Sequence, residues 1–179
     1  NAPDSWTLAG ASGTCVRITT PRTGRYAARI TRSGTDVTFR QGVGGRASAN
    51  TRSLLDNGVD SLRGDTVFGR AVIKASNATV RIRVTDGVNT TSSSYHTGGG
   101  DWEVLTTAAH VVAATATCVD IYVSVETTDA NYDIDRCDLI YGSTVADGVL
   151  RGEVPREAID LEFTQDSYPL TLLLPTKAY

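Results

Sequence analysis

The stretch TVRIRVTDG, residues 79–87, decides the fold. Val80, Ile82 and Val84 alternate with Arg81, Arg83 and Thr85, and a period of two sends apolar side chains to one face and polar ones to the other. Asp86-Gly87 then closes the run with a strong hairpin signal. The stretch CVDIYVSVE, residues 118–126, repeats the pattern. Val119, Ile121, Val123 and Val125 form its inner set, and Asp120, Tyr122 and Ser124 its outer set, with Cys118 on the outer side. Val119, Ile121, Val123, Ile82 and Val84 are therefore predicted to point between two sheets.

RYAARIT (25–31) and TDVTFRQ (35–41) behave in the same way, each bounded by Gly, Ser or Thr clusters. Further strands are predicted at 15–19, 66–74, 102–107 and 132–141. No segment sustains a period of 3.6 beyond two turns, and residues 50–62 hold one short helix at most. Eight or so short strands with frequent turn signals imply an all-β fold, an antiparallel β-sandwich. The domain is predicted to span 1–142, closing at Tyr141-Gly142. Residues 143–179 carry three prolines, a charged middle and an apolar end, and read as an extended C-terminal tail.

Composition removes several function classes. The 179 residues are 40% apolar and 21% charged, with a formal net charge of -3. That balance describes a folded domain rather than a disordered chain, and lacks the basic excess of a nucleic-acid binder. No apolar run approaches a membrane span. Asn1 at the start and the absence of Met suggest a chain that begins after a cleavage or partway into a gene product. Cys15, Cys118 and Cys137 have no metal-ligand spacing and read as buried free thiols, with Cys118 and Cys137 not bonded to each other. A bulge near Asp135 would alter the parity of Cys137.

The pieces WTLAGASGTCVRITT, TGRYAARIT, SLRGDTVFGRAVIKAS, VRIRVTDGVNTTSSSYHTGGGDWEVLTTAAHVV and CVDIYVSVETTDANYDIDRCDLIYG follow one another in a recognisable order. Together they resemble the jelly-roll carbohydrate-binding-module-like domains of glycan-degrading enzymes and phage structural proteins, over roughly residues 1–142. The resemblance implies that Ser92–Thr106 is a loop-to-strand connection crossing the sandwich, in which Gly98, Gly99 and Gly100 supply positive φ and Trp102 anchors the new strand. It also brings in a structural calcium as a candidate, with Asp135 on the last strand meeting backbone carbonyls near Thr23–Arg25. The acidic partner segment that the family places before the position of Asn1 is absent from this sequence. The relatives often carry a tryptophan where this chain has Val72. No other cofactor is expected.

Sugar binding needs exposed aromatic faces and a few hydrogen-bonding side chains. Tyr95, His96, Trp102 and Tyr122 are the candidates, with Tyr132 beside them and Arg81 and Arg83 as polar partners. Against them stands an aromatic content of only 7% and a reading in which Trp6, Phe39, Trp102 and Tyr141 belong in or beside the core. Nucleophilic catalysis finds no signature: His96 and His110 sit in unlike contexts, with no Gly-x-Ser-x-Gly or Cys/His pattern.

The leading expectation is a non-enzymatic structural protein of an assembly, a phage virion surface component such as a decoration, fibre or tail protein. The alternative is a carbohydrate-binding module of a secreted glycan-degrading enzyme. The first requires the tail. Tyr168, Leu170, Leu172, Leu173 and Leu174, in YPLTLLL, are the candidate assembly residues, adding a strand to another subunit's open edge. The expected partners are other subunits and a glycan, with neither nucleic acid nor membrane.

Overall fold

A computed structural model describes residues 7–9, 13–32, 37–43, 59–126 and 131–142. Trp6, residues 127–130 and the whole of 143–179, including the proposed assembly residues, lie outside the described residues. Eleven strands and no helix occur among the described residues. In order they are β1 (Thr7–Ala9), β2 (Thr14–Ile18), β3 (Ala27–Thr31), β4 (Val37–Val43), β5 (Thr66–Ala75), β6 (Val80–Thr85), β7 (Thr90–Ser92), β8 (Trp102–Thr106), β9 (His110–Val111), β10 (Val119–Val125) and β11 (Asn131–Tyr141).

They build two antiparallel sheets. One runs β1-β4-β10-β6-β7, and the other runs β2-β3-β11-β5-β8 with β9 also pairing β5. The alternating valines and isoleucines of β6 and β10 fill the space between them. Val80, Ile82, Val84, Val119, Ile121, Val123 and Val125 are all buried and pack with Phe39, Ile30, Ile73, Tyr132 and Ile134. The loop after β7 leaves the first sheet and enters β8 of the second, so residues 93–101 do cross the sandwich. Gly98 and Gly100 take φ of 83° and 84° there, whereas Gly99 is not among the positive-φ glycines. A Cβ on Gly98 would lie 2.7 Å from the Ala78 nitrogen, so the loop also needs glycine for its close approach to the β5–β6 turn.

Two positions differ from simple alternation. Register in β11 shifts between Ile134 and Arg136, a bulge at Asp135. The extra residue lets Ile134 and Cys137, three apart, both face the core. Cys118 was expected on the outer face but is buried. It precedes β10, and its sulfur lies under Gly87 of the β6–β7 turn, 3.4 Å from where a Cβ would be. All three cysteines are free thiols. Burial pushes the Cys15 thiol up to about 11, and Cys137 well above its ordinary value.

The Asp86-Gly87 turn holds more than a hairpin. Asp86 is fully buried, and its Oδ1 accepts hydrogen bonds from the Val88 and Asn89 amides at 2.8 and 2.6 Å. Its Oδ2 accepts the Ala113 amide at 2.8 Å. His110 lies 3.5 Å from the same oxygen, and its Nδ1 meets Thr91 Oγ1 at 2.9 Å. One turn of the first sheet is thereby pinned to the β9 region of the second. Arginine and tyrosine are meanwhile left projecting from the opposite, outer face of β6 and β10.

Candidate functional site

The outer face of the five-stranded sheet follows from its register. Arg81, Ser124 and Thr38 share one row, and Arg83, Tyr122 and Arg40 the next. Beside them opens a cleft of about 380 Å³ lined by Thr38, Arg83, Tyr122, Ser124, Val125 and Glu126. That volume lies within the usual range of small-ligand sites, roughly 300–1,000 Å³.

Glu126, just past the end of β10, organises the cleft. Arg81 donates to its two oxygens from Nε and a terminal nitrogen, at 2.7 and 3.1 Å. Arg83 and the Tyr95 hydroxyl also donate to it, and Ser124 Oγ contributes a bond of 3.2 Å. Burial alone would raise the Glu126 carboxyl. The hydrogen bonds of Arg81 and Tyr95, with the charges of Arg83 and Arg81, outweigh burial and hold it below its ordinary value. Arg83 shows the converse: burial would lower it, but Tyr122 and the Glu126 charge keep it above its ordinary value. The Arg81 guanidinium also covers the Tyr95 ring, 4.6 Å from its centroid. Tyr95 keeps 43% exposure, so much of its ring remains open to a ligand.

The structure therefore brings together Tyr95, Tyr122, Arg81 and Arg83, four side chains named from the sequence. Three others fall elsewhere. His96 is 1% exposed and cannot touch a sugar; its Nδ1 accepts the Gly98 amide at 2.9 Å and its Nε2 faces the Asp101 carbonyl at 3.2 Å. It shapes the crossing loop. Trp102 begins β8, paired with Lys74 in the other sheet. Tyr132 is in the core with its phenol raised well above the ordinary range by burial. Glu126, Thr38 and Ser124 escaped the sequence reading. The available signal was an acidic residue ending the strand that pairs with the alternating arginines of β6.

Asp135 does meet the loop at Thr23, as the resemblance implied. Its Oδ2, however, accepts hydrogen bonds from the Thr23 amide at 3.1 Å and the Thr23 hydroxyl at 2.8 Å. Donors thus occupy the place where calcium would be needed to balance the carboxylate. Among the described residues no three His, Cys, Asp or Glu side chains gather into a metal site.

No family model matches the chain, and no curated protein matches it. Solved structures do. A xylan-binding domain of carbohydrate-binding-module family 22 superposes with a TM-score of 0.56 at 16% identity, covering 79% of this chain and 90% of that one. The module TmCBM61, solved with beta-1,4-galactotriose, gives 0.51 at 18%, covering 78% and 90%. The enzymatically active domain of bacteriophage CBA120 tailspike protein 4 gives 0.52 at 13%, covering 78% of this chain but only 20% of that chain. The chain has the fold of the carbohydrate-binding-module-like jelly rolls.

Proposed function

We propose that this chain is a non-catalytic carbohydrate-recognition domain that binds a glycan in the cleft on the outer face of its five-stranded sheet. The observation that carries the reading is the convergence of Tyr95, Arg81 and Arg83 on Glu126 beside an open cleft that Tyr122 lines. Aromatic faces can cover the apolar faces of sugar rings, and the charged network presents fixed hydrogen-bonding groups to hydroxyls. The glycan-binding modules of the same fold support the reading.

Glu126 argues against catalysis at this cleft. A glycosidase acid must hold its proton near neutral pH, whereas two arginines keep this carboxyl ionised. Glycoside hydrolysis commonly needs a second carboxylate, and among the described residues lining the cleft Glu126 is alone. The test is a glycan array followed by calorimetric titration of any hit. Tyr95→Ala and Tyr122→Ala should each weaken binding about tenfold with little change in melting temperature. Unchanged affinity in both variants would move the site elsewhere.

A second reading is a virion surface component, a decoration, fibre or tail protein, assembled through residues 160–179. The likeness to a phage tailspike favours it. Under the first reading the protein acts outside the cell in a secreted setting; under the second it sits on the virion. Deleting residues 160–179 and weighing the native particle tests the second. Loss of the oligomer is the expected result, and assembly of native size without those residues would remove this reading.

A further inference from the structure

Arg40 of β4 stands directly opposite Tyr122 of β10, whose other neighbour in register is Arg83 of β6. The three form one row across the outer face, with neighbouring Cβ atoms about 5 Å apart. Their charges are not balanced. Glu126 takes both prongs of Arg81 and one donor from Arg83, so a single carboxylate faces two guanidinium groups. Arg40 has Thr7 and Tyr122 as its register neighbours, neither of them a carboxylate. Its Nε is buried without an acceptor, and so is the Nε of Arg83. What a ligand can answer is the positive charge left over in this row, which favours an anion at the guanidinium groups.

We infer that the cleft takes an acidic glycan, one whose rings carry carboxylates or sulfates, with Arg40 and Arg83 clamping the anion on either side of Tyr122. This rests on the glycan-recognition reading and narrows its ligand class. The planar fork of a guanidinium matches a carboxylate or sulfate edge, and the ring between the two forks offers an apolar surface to the sugar that bears it. Nucleic acid fits the same row less well. A phosphate track needs a basic stripe, whereas this chain carries a net charge of -3 and places Glu126 within the cleft.

The experiment titrates the full chain with an oligogalacturonate, a chondroitin sulfate oligosaccharide, neutral xylohexaose and a single-stranded oligothymidylate, each at low and high salt. One acidic glycan should bind about tenfold or more tightly than xylohexaose and lose that margin in salt. Which acid binds distinguishes carboxylate from sulfate. Arg40→Gln should abolish the margin, Arg40→Lys should retain part of it, and Lys74→Gln on the other sheet should change nothing. Equal affinity for acidic and neutral glycans, or a margin that survives Arg40→Gln, overturns the inference alone. Binding to no glycan overturns the recognition reading with it, and preference for the oligonucleotide reassigns the arginine row and overturns the inference.

Discussion

Arg81 and Glu126 meet in a two-pronged ion pair at 2.7 and 3.1 Å, both largely withdrawn from solvent. The carboxyl of Glu126 is held below its ordinary value of 4.5, against burial, by the Arg81 and Tyr95 hydrogen bonds and the arginine charges. A depressed carboxyl stabilises the fold above its unfolded value, and that contribution is lost as pH falls through the lower folded value. Acidification below about 4.5 should therefore destabilise the wild type more than Glu126→Gln, which has no proton to gain. Urea unfolding of both proteins along a pH series measures this. Parallel stability curves would mean that Glu126 gains nothing from its partners.

Ile121 is 2% exposed between the sheets. Ile121→Asp should unfold the domain, because an unpaired buried carboxylate costs several kcal/mol, about the whole stability of a small domain. Circular dichroism melting checks it, and a wild-type-like transition would refute the assigned face.

Gly69 of β5 faces the opposite sheet so closely that a Cβ would lie 2.8 Å from Val84 Cγ2 and 3.1 Å from Ile121 Cδ1. Gly69→Ala should cost about 1–3 kcal/mol through overpacking, although alanine is the better strand former. A thermal denaturation curve shifted upward instead would show slack between the sheets.

Much of this fold is legible because β6 and β10 obey a strict period of two, and burial of one face makes that period visible in the residues themselves. The three-residue strands β1 and β7 and the two-residue β9 are too short for any period to register, so pairing alone defines them. The fate of His96 and Tyr132 was not legible. Sequence shows that a residue is aromatic or polar, but which loop covers it depends on distant chain. The Asp135 bulge illustrates the same limit, because one extra residue inverts the parity of everything after it. Arg81 and Arg83 could be named from alternation. Glu126 could not, since it follows β10 and acquires its role only where β6 and the crossing loop bring three donors to it.

Asp86 satisfies three backbone amides from a fully buried position. Asp86→Ala should cost about 3 kcal/mol or more by orphaning those donors. Hydrogen exchange should then show lost protection at Val88, Asn89 and Ala113. Retained protection would assign the turn's order to other contacts.

The cleft itself is tested most directly by mapping backbone amide shifts in an isotope-labelled chain as a glycan that scores on the array is added. Perturbations should gather at Thr38, Arg83, Tyr122, Ser124, Val125 and Glu126 and leave Lys74 and Val104 of the other sheet unmoved. Perturbations centred on the six-stranded sheet, with the Glu126 network unchanged, would contradict it.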